Sequence, residues 1–213
     1  MEATFSFIDL AGFTALTEAH GDESAADLVL RFGELVRGTL DDNSRLVKSI
    51  GDAVLVTFPR PEAALVSLTR LWTRTKEEPA FLALRAGVHH GEATERGDDV
   101  FGAAVNLAAR VTAQAVGGQI LGTRAVAEVG KKLGITVRSL GKVALRNLRE
   151  PVELFELACA PNEDAAVIDP VCRMRVAPDA AAGQLRFGER EFYFCSLQCV
   201  AAFADAPMRY TDR

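Results

Sequence analysis

From residue 3 onward, short apolar runs alternate with longer stretches whose apolar residues recur every three or four positions. The run over 3–10 predicts a strand entering a turn at Gly12. Asp22 is a favoured N-cap residue, and Leu28, Phe32, Leu35 and Val36 share one face of the helix it opens, predicted to reach about Leu40. Two apolar runs, 45–50 and 53–58, flank Gly51-Asp52, which is a hairpin signal. Pro61 suits the first position of a helix running to about Thr75. A strand over 82–90, a polar Gly-containing loop over 91–99, and a helix over 103–116 closed by Gly117-Gly118 come next. Short elements follow at 119–122 (strand), 123–132 (helix), 135–140 (strand) and 152–158 (closing strand). This alternation predicts an α/β or α+β sandwich with helices on one face of a sheet.

Composition adds limits. Of 213 residues, 49% are apolar and 25% charged, which excludes a mainly disordered chain. No apolar run approaches the roughly 20 residues needed to span a bilayer. Met1-Glu2-Ala3-Thr4 lacks a basic start followed by an apolar core, so the expectation is a cytoplasmic protein with reduced thiols. Charge is even: 18 Lys+Arg against 21 Asp+Glu in 1–158, and 6 against 8 beyond. With no basic stripe, neither a nucleic-acid partner nor a membrane surface is expected. Cysteines begin only at Cys159, and three of the four fall within 172–199. That shift predicts two domains, 1–158 and 168–213, joined by a small, polar, Pro161-containing linker over 159–167.

Chemistry-bearing residues cluster at element ends. Asp9 ends a strand three residues before Gly12, and Asp52 tips a hairpin beside Gly51. Paired carboxylates so placed suit divalent cations that bind phosphate, although each alone is also an ordinary turn aspartate. Asn106 and Arg110 are four apart on an otherwise apolar helix and share a face. That face could bind ribose and phosphate, or simply be solvated. His89 and His90 point to opposite sides of a strand and read as structural. Cys159 reads as a packing residue.

Read together, Phe7-Ile8-Asp9-Leu10-Ala11-Gly12-Phe13-Thr14, Lys48-Ser49-Ile50-Gly51-Asp52 and Asp99-Val100-Phe101-Gly102-Ala103-Ala104-Val105-Asn106-Leu107-Ala108-Ala109-Arg110 resemble the class III nucleotide cyclase catalytic domain. The closing Leu145-Arg146-Asn147-Leu148-Arg149-Glu150-Pro151-Val152 is similar to that family's end, so the resemblance covers about 3–158. It implies an α+β, ferredoxin-like cyclase-type sandwich: a central, mostly antiparallel sheet with flanking helices. It implies that Asp9 and Asp52, helped by the Leu10 carbonyl, hold two Mg²⁺ or Mn²⁺ ions. Lys48 and Asp99 would read the purine of ATP, Asn106 would orient the ribose, and Arg110 would stabilise the transition-state phosphate. It also implies a head-to-tail homodimer with metals from one protomer and Asn106 and Arg110 from the other. Arg146 stands where the family usually has a lysine on the terminal phosphates; charge is kept and geometry altered. With the first motif so close to Met1, regulation is expected from the tail, from partners or from dimerisation.

In the tail, Cys195 and Cys199 are one helical turn apart and Cys172 precedes Cys195 by 23 positions. Three thiolates need a fourth ligand for a tetrahedral zinc site, and Asp169, three residues before Cys172, has the spacing for it. A segment this short rarely has enough core to stand without metal or partner. Asp169-Pro170-Val171-Cys172, Tyr193-Phe194-Cys195-Ser196 and Cys199 resemble the YHS domain, related to the TRASH metal-binding domain, over about 168–210. Arg173 stands where glycine is common, and Cys195 where many members have histidine. The resemblance implies a small, metal-stabilised, treble-clef-like module that binds zinc or another thiophilic ion. Met174 is a soft atom that could serve Cu(I), but it reads first as core.

Two functions follow. One is an adenylate cyclase making 3′,5′-cyclic AMP. The other is a non-catalytic, metal-responsive protein whose cyclase-like part only binds nucleotide or dimerises. The complete set Asp9, Asp52, Lys48, Asp99, Asn106 and Arg110 favours the enzyme.

Overall fold

The computed structural model of the chain describes residues 1–159 and 166–211. The elements of the first part are β1 (Glu2–Leu10), α1 (Phe13–Arg37), β2 (Arg45–Ile50), β3 (Ala53–Phe58), α2 (Pro61–Glu77), β4 (Leu84–Glu92), β5 (Thr94–Arg96), β6 (Asp99–Phe101), α3 (Ala103–Thr112), β7 (Ile120–Thr123), α4 (Arg124–Lys132), β8 (Thr136–Val143) and β9 (Val152–Ala158). The tail contributes β10 (Val167–Ile168), β11 (Arg175–Val176), β12 (Gly183–Phe187), β13 (Arg190–Phe194), α5 (Leu197–Asp205) and α6 (Met208–Thr211).

Seven strands form one sheet in the order β2-β3-β1-β4-β7-β9-β8. All its ladders are antiparallel except β4–β7. A parallel pair needs a crossover, and here the crossover carries α3. Side chains alternate along each strand. Ile8 and Leu10 of β1, with Val54, Val56 and Phe58 of β3, therefore meet Leu16 and Phe32 of α1, Leu65 and Leu68 of α2, and Val126 of α4. Phe5 of β1 and Leu55 of β3 face the other way and meet Ala104, Val105 and Ala108 of α3. Helices thus cover both faces, where the sequence pattern suggested one. Small residues let α3 lie close: a Cβ on Gly87 of β4 would overlap the Thr112 amide of α3. Phe5 and Phe32 are each 0% exposed, and burying each such side chain stabilises the fold by roughly 1.5–3 kcal/mol.

Three local outcomes differ from the pattern. α1 begins at Phe13 and is broken at Gly21 (φ 82°, ψ 171°), so the predicted helix from Asp22 is its second segment and His20 ends the first. The expected loop 91–99 contains the β5–β6 hairpin, which brings Asp99 into a strand. α3 stops at Thr112, before the predicted 116.

The tail is built on Phe192, Phe194 and Phe203 around Cys172 and Cys199. It docks on the first part through the Arg175 amide, which donates to the Phe81 carbonyl at 2.9 Å, and through a bridge between Leu82 and Met174. Met174 packs into both cores, which agrees with its reading as a core residue. Cys159, at the start of the expected linker 159–167, is buried in the main core; residues 160–165 of that linker lie outside the described residues.

Candidate active site and tail metal centre

The register of β1 sets Asp9 opposite Ala53 of β3 and Arg85 of β4. Asp52 occupies the turn just before Ala53, so two carboxylates 43 positions apart in sequence become neighbours. Asp9 is 8% exposed and accepts hydrogen bonds from Arg85, through Nε at 2.7 Å and through Nη2. Burial, and next the Asp9 charge, raise the pKa of Asp52 above the ordinary carboxylate value. One guanidinium shared by two carboxylates leaves excess negative charge. Leu10 closes β1 next to Asp9, and carboxylate and carbonyl oxygens are the kind of donor that suits Mg²⁺ or Mn²⁺.

Lys48 of β2 and Asp99 of β6 are also brought together. Lys48 Nζ donates to Asp99 Oδ2 at 2.6 Å, and the Val100 amide donates to Asp99 Oδ1 at 2.8 Å. Those two hydrogen bonds, the lysine's first, lower the pKa of Asp99. The Lys48 ammonium lies 5.6 Å from the centre of the Phe101 ring. Both side chains keep about a third of their surface open (38% and 32%), so an incoming ligand can reach the pair.

Asn106 and Arg110 lie on α3, pointing away from the buried face formed by Ala104, Val105 and Ala108. Among the described residues, neither side chain makes a hydrogen bond or ion pair. Arg146 is exposed in the turn after β8. The histidines behave structurally: His89 Nδ1 shares a hydrogen bond with Thr123 Oγ1 at 2.8 Å, and His90 Nδ1 with Thr4 Oγ1 at 2.9 Å. Burial, then the neighbouring His90, lowers His89 to about 4. Burial pushes Cys159 up to about 11, which suits an inert packing thiol.

In the tail, Cys172 Sγ lies 3.4 Å from Cys195 Sγ, which lies 3.7 Å from Cys199 Sγ. The fourth member of this group is His20, whose Nε2 is 3.5 Å from Cys195 Sγ and 3.7 Å from Cys199 Sγ. Hydrogen bonds to Cys195 and Cys199, then burial, push the Cys172 thiol up; hydrogen bonds from Cys172 and Cys195 hold Cys199 down, towards the thiolate that a metal requires.

Asp169, expected as fourth ligand, does other work. It is 0% exposed and faces backbone amides: Oδ1 accepts from Val171 at 2.8 Å and from Cys172 at 3.4 Å, and Oδ2 accepts from Cys195 at 2.8 Å. Both oxygens are turned to the two loops that carry the thiols, so the carboxylate ties those loops together. His20 carried no local signal, because it lies 152 residues before Cys172 in a segment with no motif of its own.

Residues 1–158 match the family profile described as the adenylate and guanylate cyclase catalytic domain, and residues 167–213 match the YHS domain. The chain is 34% identical over 160 residues to a pH-sensitive adenylate cyclase of Mycobacterium tuberculosis, covering 73% of this chain and 40% of that protein. It is 38% identical over 110 residues to an adenylate cyclase of Streptomyces griseus, covering 50% of this chain and 27% of that protein. The chain thus spans well under half the length of these relatives. Among solved structures, an adenylate cyclase of Trypanosoma brucei in its monomeric state superposes with a TM-score of 0.69 at 26% identity, covering 76% of this chain and 89% of that one. The adenylyl cyclase CyaB from P. aeruginosa, at 22% identity and a TM-score of 0.64, covers 76% of this chain and 96% of its own and shares the fold. No helix among the described residues is long and apolar enough to cross a membrane. With residues 1–158, most of the chain, matched by its profile, this protein belongs to the adenylate and guanylate cyclase catalytic domain family and carries a YHS domain behind it.

Proposed function

We propose that the protein is a cytoplasmic adenylate cyclase that converts ATP to 3′,5′-cyclic AMP and pyrophosphate as a head-to-tail homodimer. Its division would be a catalytic domain over 1–158, a linker over 159–167, and a YHS module over 168–213 holding one thiophilic ion, Zn²⁺ by its sulfur-rich donors. The observation that carries the ATP reading is the Lys48–Asp99 pair. Lysine only donates and ionised aspartate only accepts. Adenine offers an acceptor at N1 and a donor at its 6-amino group, so Lys48 and Asp99 satisfy both. Guanine offers a donor at N1 and an acceptor at O6, and held in that same pose it would meet the pair with two mismatches.

Asp9, Asp52 and the Leu10 carbonyl would hold two divalent ions. When bound, these ions neutralise phosphate charge and lower the pKa of the ribose 3′-hydroxyl. The partner subunit's Asn106 orients the ribose so that the 3′-oxygen lies in line with the α-phosphorus. The bond from O3′ to the α-phosphorus forms as the bond to the bridging oxygen breaks. The hydroxyl proton passes to solvent water, and pyrophosphate departs with the electron pair of the broken bond. The partner subunit's Arg110 places positive charge where negative charge grows on the α-phosphoryl oxygens. Arg146, in its exposed turn, can reach towards the terminal phosphates.

The test is incubation of purified protein with Mn²⁺ and ATP, with chromatographic detection of cyclic AMP and pyrophosphate in equal amounts. Nucleotide binding without product would favour the non-catalytic, metal-responsive reading.

A further inference from the structure

Helix α1 belongs to the catalytic domain, yet its His20 stands in the sulfur cluster of the tail. In a tetrahedral zinc site, metal–sulfur bonds of about 2.3 Å and metal–nitrogen bonds of about 2.0–2.1 Å place ligand atoms roughly 3.5–3.8 Å apart. The separations here, 3.4 Å for Cys172–Cys195, 3.7 Å for Cys195–Cys199, and 3.5 and 3.7 Å from His20 Nε2, fall on that scale. All four ligand atoms lie within 4.8 Å of one another. The local backbone favours this placement. Gly21 breaks α1 immediately after His20, so the first segment ends with its imidazole at the tail. Ala19 packs against the tail core beside it.

We infer that the tail ion is a clamp between domains, held by Cys172, Cys195 and Cys199 from the YHS module and by His20 from the catalytic domain. The inference rests on the metal-binding reading of the tail and adds its fourth ligand and its reach. Loading the ion fixes the first segment of α1 to the knuckle around Cys172. That knuckle also touches the turn after the Asp9–Leu10 strand end, because Arg173 packs on Gly12. Metal occupancy of the tail is thereby tied to the segment that carries the catalytic carboxylate.

The test uses the full chain loaded with one equivalent of Zn²⁺. Zinc-edge X-ray absorption should fit three sulfurs and one imidazole nitrogen. His20→Ala should remove the imidazole scattering and weaken zinc about 10–100-fold in competition with a chromophoric chelator. Hydrogen exchange should show zinc protecting residues 13–20 and 169–175 together in the natural chain, and only the latter in His20→Ala. Zinc bound by three sulfurs and oxygen, or protection of the tail with 13–20 unchanged, overturns the clamp and leaves the tail metal site standing. A chain that binds no zinc overturns both. Since the wild-type spectrum decides the ligand set, a His20→Ala variant that fails to fold does not protect the inference.

Discussion

Gly12 and Arg173 meet where the tail touches the catalytic domain: a Cβ on Gly12 would lie 2.5 Å from Arg173 Cβ and 2.7 Å from Arg173 Cγ. Gly12 has φ of 92° and caps α1 two residues after Leu10, while Arg173 itself sits at φ of 69°. Only a glycine at position 12 allows both the left-handed backbone and the close approach. Gly12→Ala is expected to lower stability by about 1–3 kcal/mol. Arg173→Gly should relieve much of that loss, so the double variant should be more stable than the sum of the singles predicts. Urea denaturation of the four proteins checks this; strict additivity would show that the two positions do not share the space.

Base choice follows from the Lys48–Asp99 hydrogen bond. The natural protein should prefer ATP strongly, because a site built on hydrogen bonds rejects a base that leaves them mismatched. Lys48→Glu with Asp99→Cys turns the pattern towards guanine and should shift the ratio of kcat/KM values towards GTP. Equal use of both nucleotides by the natural protein would sink the assignment.

Shared sites predict complementation. Asp9→Ala and Arg110→Ala should each be nearly inactive alone. Mixed, they should regain part of the activity, because one of the two sites in a heterodimer has both residues. A mixture that forms heterodimers and stays inactive would overturn the shared site.

The pH response of stability has a contribution from His89. Its pKa in the folded protein, about 4, lies below the ordinary histidine value because of burial and the adjacent His90. Between those two values the unfolded chain binds more protons than the folded one, so this contribution is fully present above the ordinary value and is lost as pH falls towards 4. His89→Gln removes it. Unfolding free energies measured at pH 7, 6 and 5 should fall less steeply in the variant than in the natural protein; parallel curves would refute the assignment.

Asp169 separates positioning from ligation. Its carboxylate binds three amides in the two ligand loops. Asp169→Ala should weaken zinc about 10–100-fold, as loss of an outer-shell partner does, with the X-ray absorption ligand set unchanged. A change in first-shell composition in that variant would restore Asp169 as a ligand.

Local pattern was enough for the strands 45–50, 53–58 and 152–158, because short apolar runs between turn residues leave few other options. The motif residues around Asp9, Asp52, Asn106 and Arg110 could be picked out for the same reason: their chemistry is carried by neighbours in the chain. The cysteine spacing in the tail likewise pointed to a metal. What the chain could not show locally depends on long-range placement. That α3 covers the second face follows from the β4–β7 crossover. The pairing of Lys48 with Asp99 follows from a β5–β6 hairpin too polar to read as strands. Asp169 has ligand-like spacing, but the folded loops turn both its oxygens to amides. His20 joins three cysteines more than 150 residues away, since metal geometry is set by distance in space and the sequence records only distance along the chain.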